Sequence, residues 1–229
     1  MSFVRFAVTM AIRFLISAIC RVDARAFRAA PRRGPFILAI NHINFLEVPL
    51  VYSFLYPRRV IGMAKRETWD NPVLGALGDL WEAIPLERGK SDVSALHAAV
   101  KVLDKGGIVV IAPEGTRSVS GALRRGHPGI VTIASISGAP VIPLAHWGGE
   151  RFWKNLKAFR RTGIKARIGE PFIIKADANG LTHAARQDLA DQVMNRISAL
   201  MPEKYRGAYP APESAARDGL EFQASVTGS

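Results

Sequence analysis

Four short, largely apolar runs constrain this chain more than any other feature: Phe36–Ile40, Val60–Ala64, Ile108–Ile111 and Val141–Leu144. Each is too brief for a core helix and is bounded by turn-forming residues, the pattern of a strand buried on both faces. Helical stretches lie between them. Glu47–Tyr56 is one, and Asp92–Lys105 is another, with Asp92 placed to cap it and Gly106-Gly107 to end it. Pro128–Gly138 is a third, with proline in its first turn. Ala83–Leu86 and Ile164–Ile168 read as further strands, and Thr182–Leu200 as a long amphipathic helix. From Trp69 to Trp81, Asn71-Pro72 and two glycines predict a short helix and a loop. Buried strands alternating with helices predict an α/β fold, a mostly parallel central sheet flanked by helices.

The length of 229 residues suits one large domain with appendages. The expected organisation is an N-terminal amphipathic membrane-associating helix over 1–30, a globular domain over 31–206 and a tail over 207–229. That tail is rich in Ala, Pro, Ser and Gly without periodicity, so it is expected to lack order. A single cysteine, Cys20, excludes an intramolecular disulfide framework and a Cys-rich zinc site. The formal net charge of +12 points to an anionic partner: nucleic acid, a phospholipid surface or a phosphorylated substrate.

The N-terminal segment favours the lipid surface. Phe3–Arg21 contains no Pro or Gly, and its polar residues fall at Arg5, Thr9, Arg13, Ser17 and Arg21. Four residues advance a helix by about 400°, so this stripe drifts only about 40° per step. The rest is apolar, as suits a helix lying in a bilayer interface beside a narrow basic stripe. The competing reading packs the helix on the protein's own body with its arginines turned outward. No apolar run reaches spanning length, and Arg13 splits the apolar region a signal peptide would need.

In open α/β sheets reactive groups gather at the carboxyl ends of strands. Two polar clusters stand there: Asn41-His42 through Glu47, and Glu114-Gly115-Thr116-Arg117. On one continuous helix His42 and Glu47 would point about 140° apart. With His42 on the turn and Glu47 in the first helical turn, the two can meet. A carboxylate beside a histidine fixes its tautomer and raises its basicity, which suits general base catalysis on an alcohol. The other reading is a structural histidine at a helix start. The second cluster offers a glycine, hydroxyls and a guanidinium, the makings of an anion pocket or of an ordinary polar turn.

Together the clusters resemble the lysophospholipid acyltransferase superfamily, specifically the bacterial 1-acylglycerol-3-phosphate acyltransferases. The family's Asn-His-x-x-x-x-Asp motif reads Asn41-His42-Ile43-Asn44-Phe45-Leu46-Glu47 here, and its Pro-Glu-Gly-Thr-Arg-Ser motif is matched by Pro113 to Ser118. Ala64-Lys65-Arg66-Glu67, Ile84-Pro85-Leu86-Glu87-Arg88 and Val141-Ile142-Pro143 resemble further family segments. The resemblance covers roughly Ile37 to Leu144 and makes 31–206 the acyltransferase domain. It implies His42 as the catalytic base that deprotonates the acceptor hydroxyl, with Glu47 orienting it. Lys65, Arg88, Glu114, Gly115, Thr116 and Arg117 would bind the acceptor head group. The implied acceptor is a lysophospholipid, with 1-acylglycerol-3-phosphate becoming phosphatidic acid. The implied co-substrate is acyl-carrier protein or coenzyme A carrying the acyl thioester, with no cofactor, metal or covalent acyl-enzyme. The implied location is the cytoplasmic face of the membrane, peripheral or monotopic. Glu47 stands where the family has Asp, one methylene longer, which bears on activity and acceptor choice. Asn44, where serine is common in the family, receives no reading from the sequence.

Two rival functions come from other classes. A catalytically weakened lipid-binding protein of the same fold rests on Glu47 alone, and acyl transfer to a different lysolipid is the nearer alternative. Nucleic-acid binding would require aromatic residues interleaved with the basic patches, and these are sparse. Arg32-Arg33, Arg58-Arg59, Arg124-Arg125 and Arg160-Arg161 are expected to join the helix stripe in a face toward anionic lipid or acidic carrier protein. His127 and His146 lie near the candidate loops without metal-ligand spacing.

Overall fold

A computed structural model describes residues 3–87, 92–175 and 180–210, and the backbone of 220–222. The chain begins with α1 (Phe3–Ile19), β1 (Cys20–Val22), α2 (Arg25–Ala29), β2 (Phe36–Ile40), α3 (Glu47–Leu55) and β3 (Val60–Lys65). It continues through α4 (Pro72–Leu80), β4 (Ile84–Leu86), α5 (Val93–Asp104), β5 (Ile108–Ile111), α6 (Gly129–Ser137) and β6 (Val141–Trp147). Then come α7 (Phe152–Lys157), β7 (Thr162–Ile168), β8 (Phe172–Ile174), α8 (His183–Ala199) and β9 (Leu220–Phe222).

One sheet runs in the order β1-β7-β6-β2-β5-β3-β4, with β8 beside β6 and β9 beside β8. The β1–β7, β2–β5, β2–β6, β3–β4 and β3–β5 pairs are parallel, whereas β6–β7, β6–β8 and β8–β9 are antiparallel. The parallel centre explains the continuous apolar runs. Along β2, Ile37 and Ala39 enter a core shared with α5, α6 and α8. Phe36, Leu38 and Ile40 enter a second core with α2 and α3 on the other face. Neither face meets water, so the usual polar alternation is absent.

Caps place several helices. Asp92 accepts a hydrogen bond from Ala95 N (3.0 Å) at the start of α5, and Thr182 does so from Ala185 N (3.2 Å) at α8. In 69–81 a nine-residue helix replaces the expected short helix and loop. Asn71 caps it with bonds from Val73 N and Leu74 N, both 3.1 Å. Its Gly78 admits the Trp69 ring, because a Cβ there would stand 2.9 Å from Trp69 Cζ2. Packing, not a turn, is what that glycine serves.

The ends of the chain differ from the sequence reading. The first helix stops at Ile19, short of Arg21, because Cys20–Val22 pairs with Thr162–Ile164 of β7. Strand β6 continues past Leu144 to Trp147, and α7 and β8 join elements the hydrophobic pattern had not marked. In the tail expected to lack order, Leu220–Phe222 pairs antiparallel with β8.

The orientation of α1 reverses part of the expectation. The first three members of its polar stripe, Arg5, Thr9 and Arg13, face the protein, whereas Ser17 and Arg21 are exposed; Thr9 is buried and accepts from Trp81 Nε1 at 3.3 Å. Arg5 pairs with Glu82 at 3.0 Å, and the Arg13 guanidinium lies 4.9 Å from the Phe54 ring centre. Outward stand Phe3 (81% exposed), Phe14 (73%) and Leu15 (59%). Arg5 and Arg13 therefore bind the helix to its own domain together with Ile12, Ile16 and Ile19, and the apolar side bearing Phe3, Phe14 and Leu15 is the one left uncovered. Arg58 is likewise structural, its guanidinium reaching the carbonyls of Pro31 (2.8 Å) and Ala30 (2.5 Å). Among the described residues no helix is long and apolar enough to cross a membrane.

Candidate active site

Because β2, β3, β4, β5 and β6 run parallel, their carboxyl ends share one edge of the sheet. Both polar clusters emerge there. The turn after β2 folds back as the sequence anticipates, and the Glu47 carboxylate meets His42 Nδ1 through Oε2. Its other oxygen, Oε1, accepts from Ile43 N and from Asn44 N (2.6 Å). Glu47 therefore closes the turn that leads into α3 and holds the imidazole with one group. Its side chain is 3% exposed and that of His42 is 16%. The imidazole edge opposite Nδ1 makes no hydrogen bond among the described residues.

Two side chains that the sequence left uninterpreted brace this turn. Asn44 Nδ2 donates to Gly149 O at 2.7 Å, while Asn44 Oδ1 accepts from Leu46 N at 2.9 Å. Beyond the last β2–β6 pair, Ile40 with Leu144, the Asn41 side chain extends the ladder. Asn41 Nδ2 donates to His146 O (2.9 Å), and His146 N donates to Asn41 Oδ1 (2.8 Å). His146 Nε2 lies 2.9 Å from Asn41 O and 3.8 Å from Glu47 Oε1. A side-chain amide mimics a peptide group, so Asn is well suited to extend a ladder where the backbone turns away. Asn41 and His146 are both buried, and removing either would strand buried polar atoms. The signal missed was the continuation of the apolar run through Ala145-His146-Trp147, which makes His146 a strand residue.

The Pro113–Ser118 loop is tied to the same turn. Ser118 N donates to His42 O at 2.8 Å. Glu114 accepts from His42 N (2.6 Å) on one oxygen and from Arg124 N (2.8 Å) on the other. Glu114 is 2% exposed, and its carboxylate braces the two loops through backbone N–H groups on both oxygens. Burial pushes its carboxyl up to about 7, outweighing the His42 and Arg124 N–H donors that favour the charged form. Gly115 takes a left-handed turn (φ 62°), and a Cβ there would lie 3.1 Å from the His127 ring. Thr116 is half-buried and Arg117 exposed on the open side.

Lys65 ends β3, exposed at the same edge and two strands from β2, about 10 Å away at the usual strand spacing. Arg88 lies outside the described residues. Among the described residues no group of three or more His, Cys, Asp or Glu side chains is placed to hold a metal ion.

A family model described as Acyltransferase matches residues 21–147, from β1 to the end of β6, and so spans both loops and His146. The chain belongs to the acyltransferase family. Among relatives, a 1-acyl-sn-glycerol-3-phosphate acyltransferase of Bacillus subtilis (strain 168) is 29% identical over 167 residues, covering 72% of this chain and 80% of its own. A lyso-ornithine lipid O-acyltransferase of Pseudomonas aeruginosa is 25% identical over 199 residues, 85% of this chain and 70% of its own. The crystal structure of the 1-acyl-sn-glycerophosphate acyltransferase from Thermotoga maritima shares the fold, with TM-score 0.61 and 22% identity over 86% of this chain and 79% of that one. For an acyltransferase, the arrangement places a buried carboxylate, a partly open imidazole and a hydroxyl- and guanidinium-bearing loop on one edge.

Proposed function

We propose that this acyltransferase moves a fatty acyl group from a thioester, acyl-carrier protein or coenzyme A, to the free hydroxyl of a lysophospholipid. The acceptor we assign is 1-acylglycerol-3-phosphate, giving phosphatidic acid. The observation that carries the reading is the Glu47 carboxylate on His42 Nδ1, in a turn bonded to the Pro113–Ser118 loop. The Bacillus relative supports the choice of acceptor.

In this mechanism Glu47 holds Nδ1–H, so the opposite ring nitrogen, Nε2, is the basic one. It takes the hydroxyl proton as the acceptor oxygen attacks the thioester carbonyl. The tetrahedral intermediate then expels the thiolate, which receives the proton from the imidazolium, so acylated lipid and free thiol are the products. The thioester is already activated, and the protein's work is to position an alcohol, remove its proton and stabilise an oxyanion. Lys65 and the backbone N–H groups of Thr116 and Arg117 are the donors we assign to the oxyanion. Arg117, Thr116 and Arg88 receive the acceptor phosphate, since guanidinium groups pair with phosphate in two parallel bonds. Glu47 and Glu114 act as positioning residues.

The apolar face of α1 lies in the cytoplasmic leaflet, a monotopic or peripheral attachment that keeps the sheet edge at the lipid surface. The test is purified protein offered a panel of lysolipids with each donor, and products identified by mass. Phosphatidic acid as the main product is the expected result. Preferred acylation of a lyso-ornithine lipid, which the Pseudomonas relative makes a specific second reading, would reassign the acceptor. Lysolipid binding without thioester cleavage would favour the lipid-binding alternative.

A further inference from the structure

We propose that the β6–β7 connection, residues 148–161, is a second membrane-insertion element. In it Trp153, Leu156 and Phe159 enter the interface of an anionic bilayer while Lys154, Lys157 and Arg160 engage its head groups. The proposal rests on the reading of α1 as a membrane face and adds a separate contact to it.

Helix α7 exposes Trp153 (58%), Leu156 (38%) and, just past its end, Phe159 (101%). Single apolar residues on a surface are ordinary, but a cluster beside an opening usually marks an interaction site. Phe159 is the strongest sign. It closes the helix with a left-handed backbone (φ 52°), where glycine is usual, and gains no burial in return. The turn is nonetheless well bonded: Arg160 N donates to Asn155 O (2.8 Å), and Phe159 N to Leu156 O (3.0 Å). Asn155 Nδ2 also meets Thr162 Oγ1 at 3.2 Å. The protein therefore holds an aromatic side chain out into the solvent with a defined backbone.

The surroundings select lipid as the occupant. Lys154, Lys157 and Arg160 make no ion pair among the described residues, so this rim is open to anionic head groups. Trp beside cations is the composition of a membrane–water interface. The connection is also continuous with α1, because Arg161 Nη2 donates to Ser17 O (2.5 Å) and Cys20 O (2.7 Å) at that helix's end. A groove of ≈ 490 Å³ lies at the junction, its rim including Arg21, Arg161 and Lys165. On its other side the element touches the catalytic turn. Phe45, between His42 and Glu47, packs on Trp153 and Phe152 with ring centres 5.4 and 5.5 Å apart. Seating Trp153 in lipid would bring the His42 turn to the bilayer surface.

The experiment uses the full chain with an environment-sensitive fluorophore on one introduced cysteine, at Phe159→Cys, Phe14→Cys or Ile136→Cys. The native Cys20 is fully buried and is not labelled. Ile136 is exposed near the end of α6, away from the proposed surface. Vesicles contain phosphatidylcholine with phosphatidylglycerol, or phosphatidylcholine alone. With anionic vesicles, labels at 14 and 159 should shift to the blue and be quenched from the lipid chains, and the label at 136 should do neither. The 159 signal should weaken when phosphatidylglycerol is omitted. Phe159→Ser should lower vesicle partitioning by about tenfold. If the 14 label enters lipid and the 159 label stays in water, this proposal is overturned while the α1 reading stands; if neither enters, both fail. A 159 label that responds to acyl-carrier protein and not to vesicles would also overturn it and assign the surface to the donor.

Discussion

Two turns leave neighbouring strands at the same edge and are built in opposite ways. The turn after β2 is gathered from within: in seven residues, 41–47, one carboxylate takes up the histidine and two backbone N–H groups, while Asn41 and Asn44 anchor it to His146 and Gly149. The loop after β5 is stitched outward instead. Glu114 and Ser118 bond to His42's backbone, Glu114 also to Arg124, and Thr116 and Arg117 are left toward solvent. The first arrangement fixes a geometry and the second presents a chemistry. Glu114 makes the two interdependent, because the same carboxylate holds both.

The contrast predicts graded losses. His42→Ala should lower turnover by about 10²–10⁴-fold, the usual contribution of a general base, and cost about 1–3 kcal/mol in stability because it leaves a buried Glu47 oxygen unpartnered. Glu47→Gln should lower turnover on the order of 10²-fold and also destabilise the fold by about 1–3 kcal/mol, since it disturbs base and turn together. Near-normal turnover in that variant would mean the pairing is not used. Glu114→Gln brings an amide N–H against one of two backbone donors and should cost about 1–3 kcal/mol in urea unfolding, with a smaller loss of rate.

The same variant has a pH signature. The folded carboxyl titrates near about 7 against an ordinary 4.5, so between those values the folded chain holds a proton that the unfolded chain has released. Stability should therefore fall as pH rises from about 4.5 through about 7, by on the order of 1–3 kcal/mol. Glu114→Gln should flatten that slope, and an equal slope in both proteins would remove Glu114 as its source. The smallest structural effect belongs to the open loop. Arg117→Ala should raise KM for a phosphate-bearing acceptor by about tenfold while stability stays within about 0.5 kcal/mol.

The central strands were legible because Phe36–Ile40 and Ile108–Ile111 are apolar on both faces, and burial on both faces is what a parallel sheet imposes. Meeting of His42 and Glu47 was legible as a possibility from their spacing across a strand–helix junction. The inward stripe of α1 was not, since Arg5 finds Glu82 and Arg13 finds Phe54 across large sequence separations. A four-residue polar repeat shows that a helix has two faces but not which of them the domain covers. Glu114 posed the same difficulty: its partners are backbone groups of His42 and Arg124, invisible to any side-chain motif. Strand β8 was too short to leave a pattern, and β1 was concealed by its continuity with the apolar helix before it.

The most direct test of the central claim is acyl transfer by wild type and His42→Ala on anionic vesicles carrying a lysolipid, with loss of thioester and gain of product followed together. The account predicts that the wild type cleaves the thioester only when the acceptor is present, one product for each thiol released, and that His42→Ala does neither at a comparable rate. Acceptor-independent cleavage at the wild-type rate, or normal transfer by His42→Ala, would contradict it.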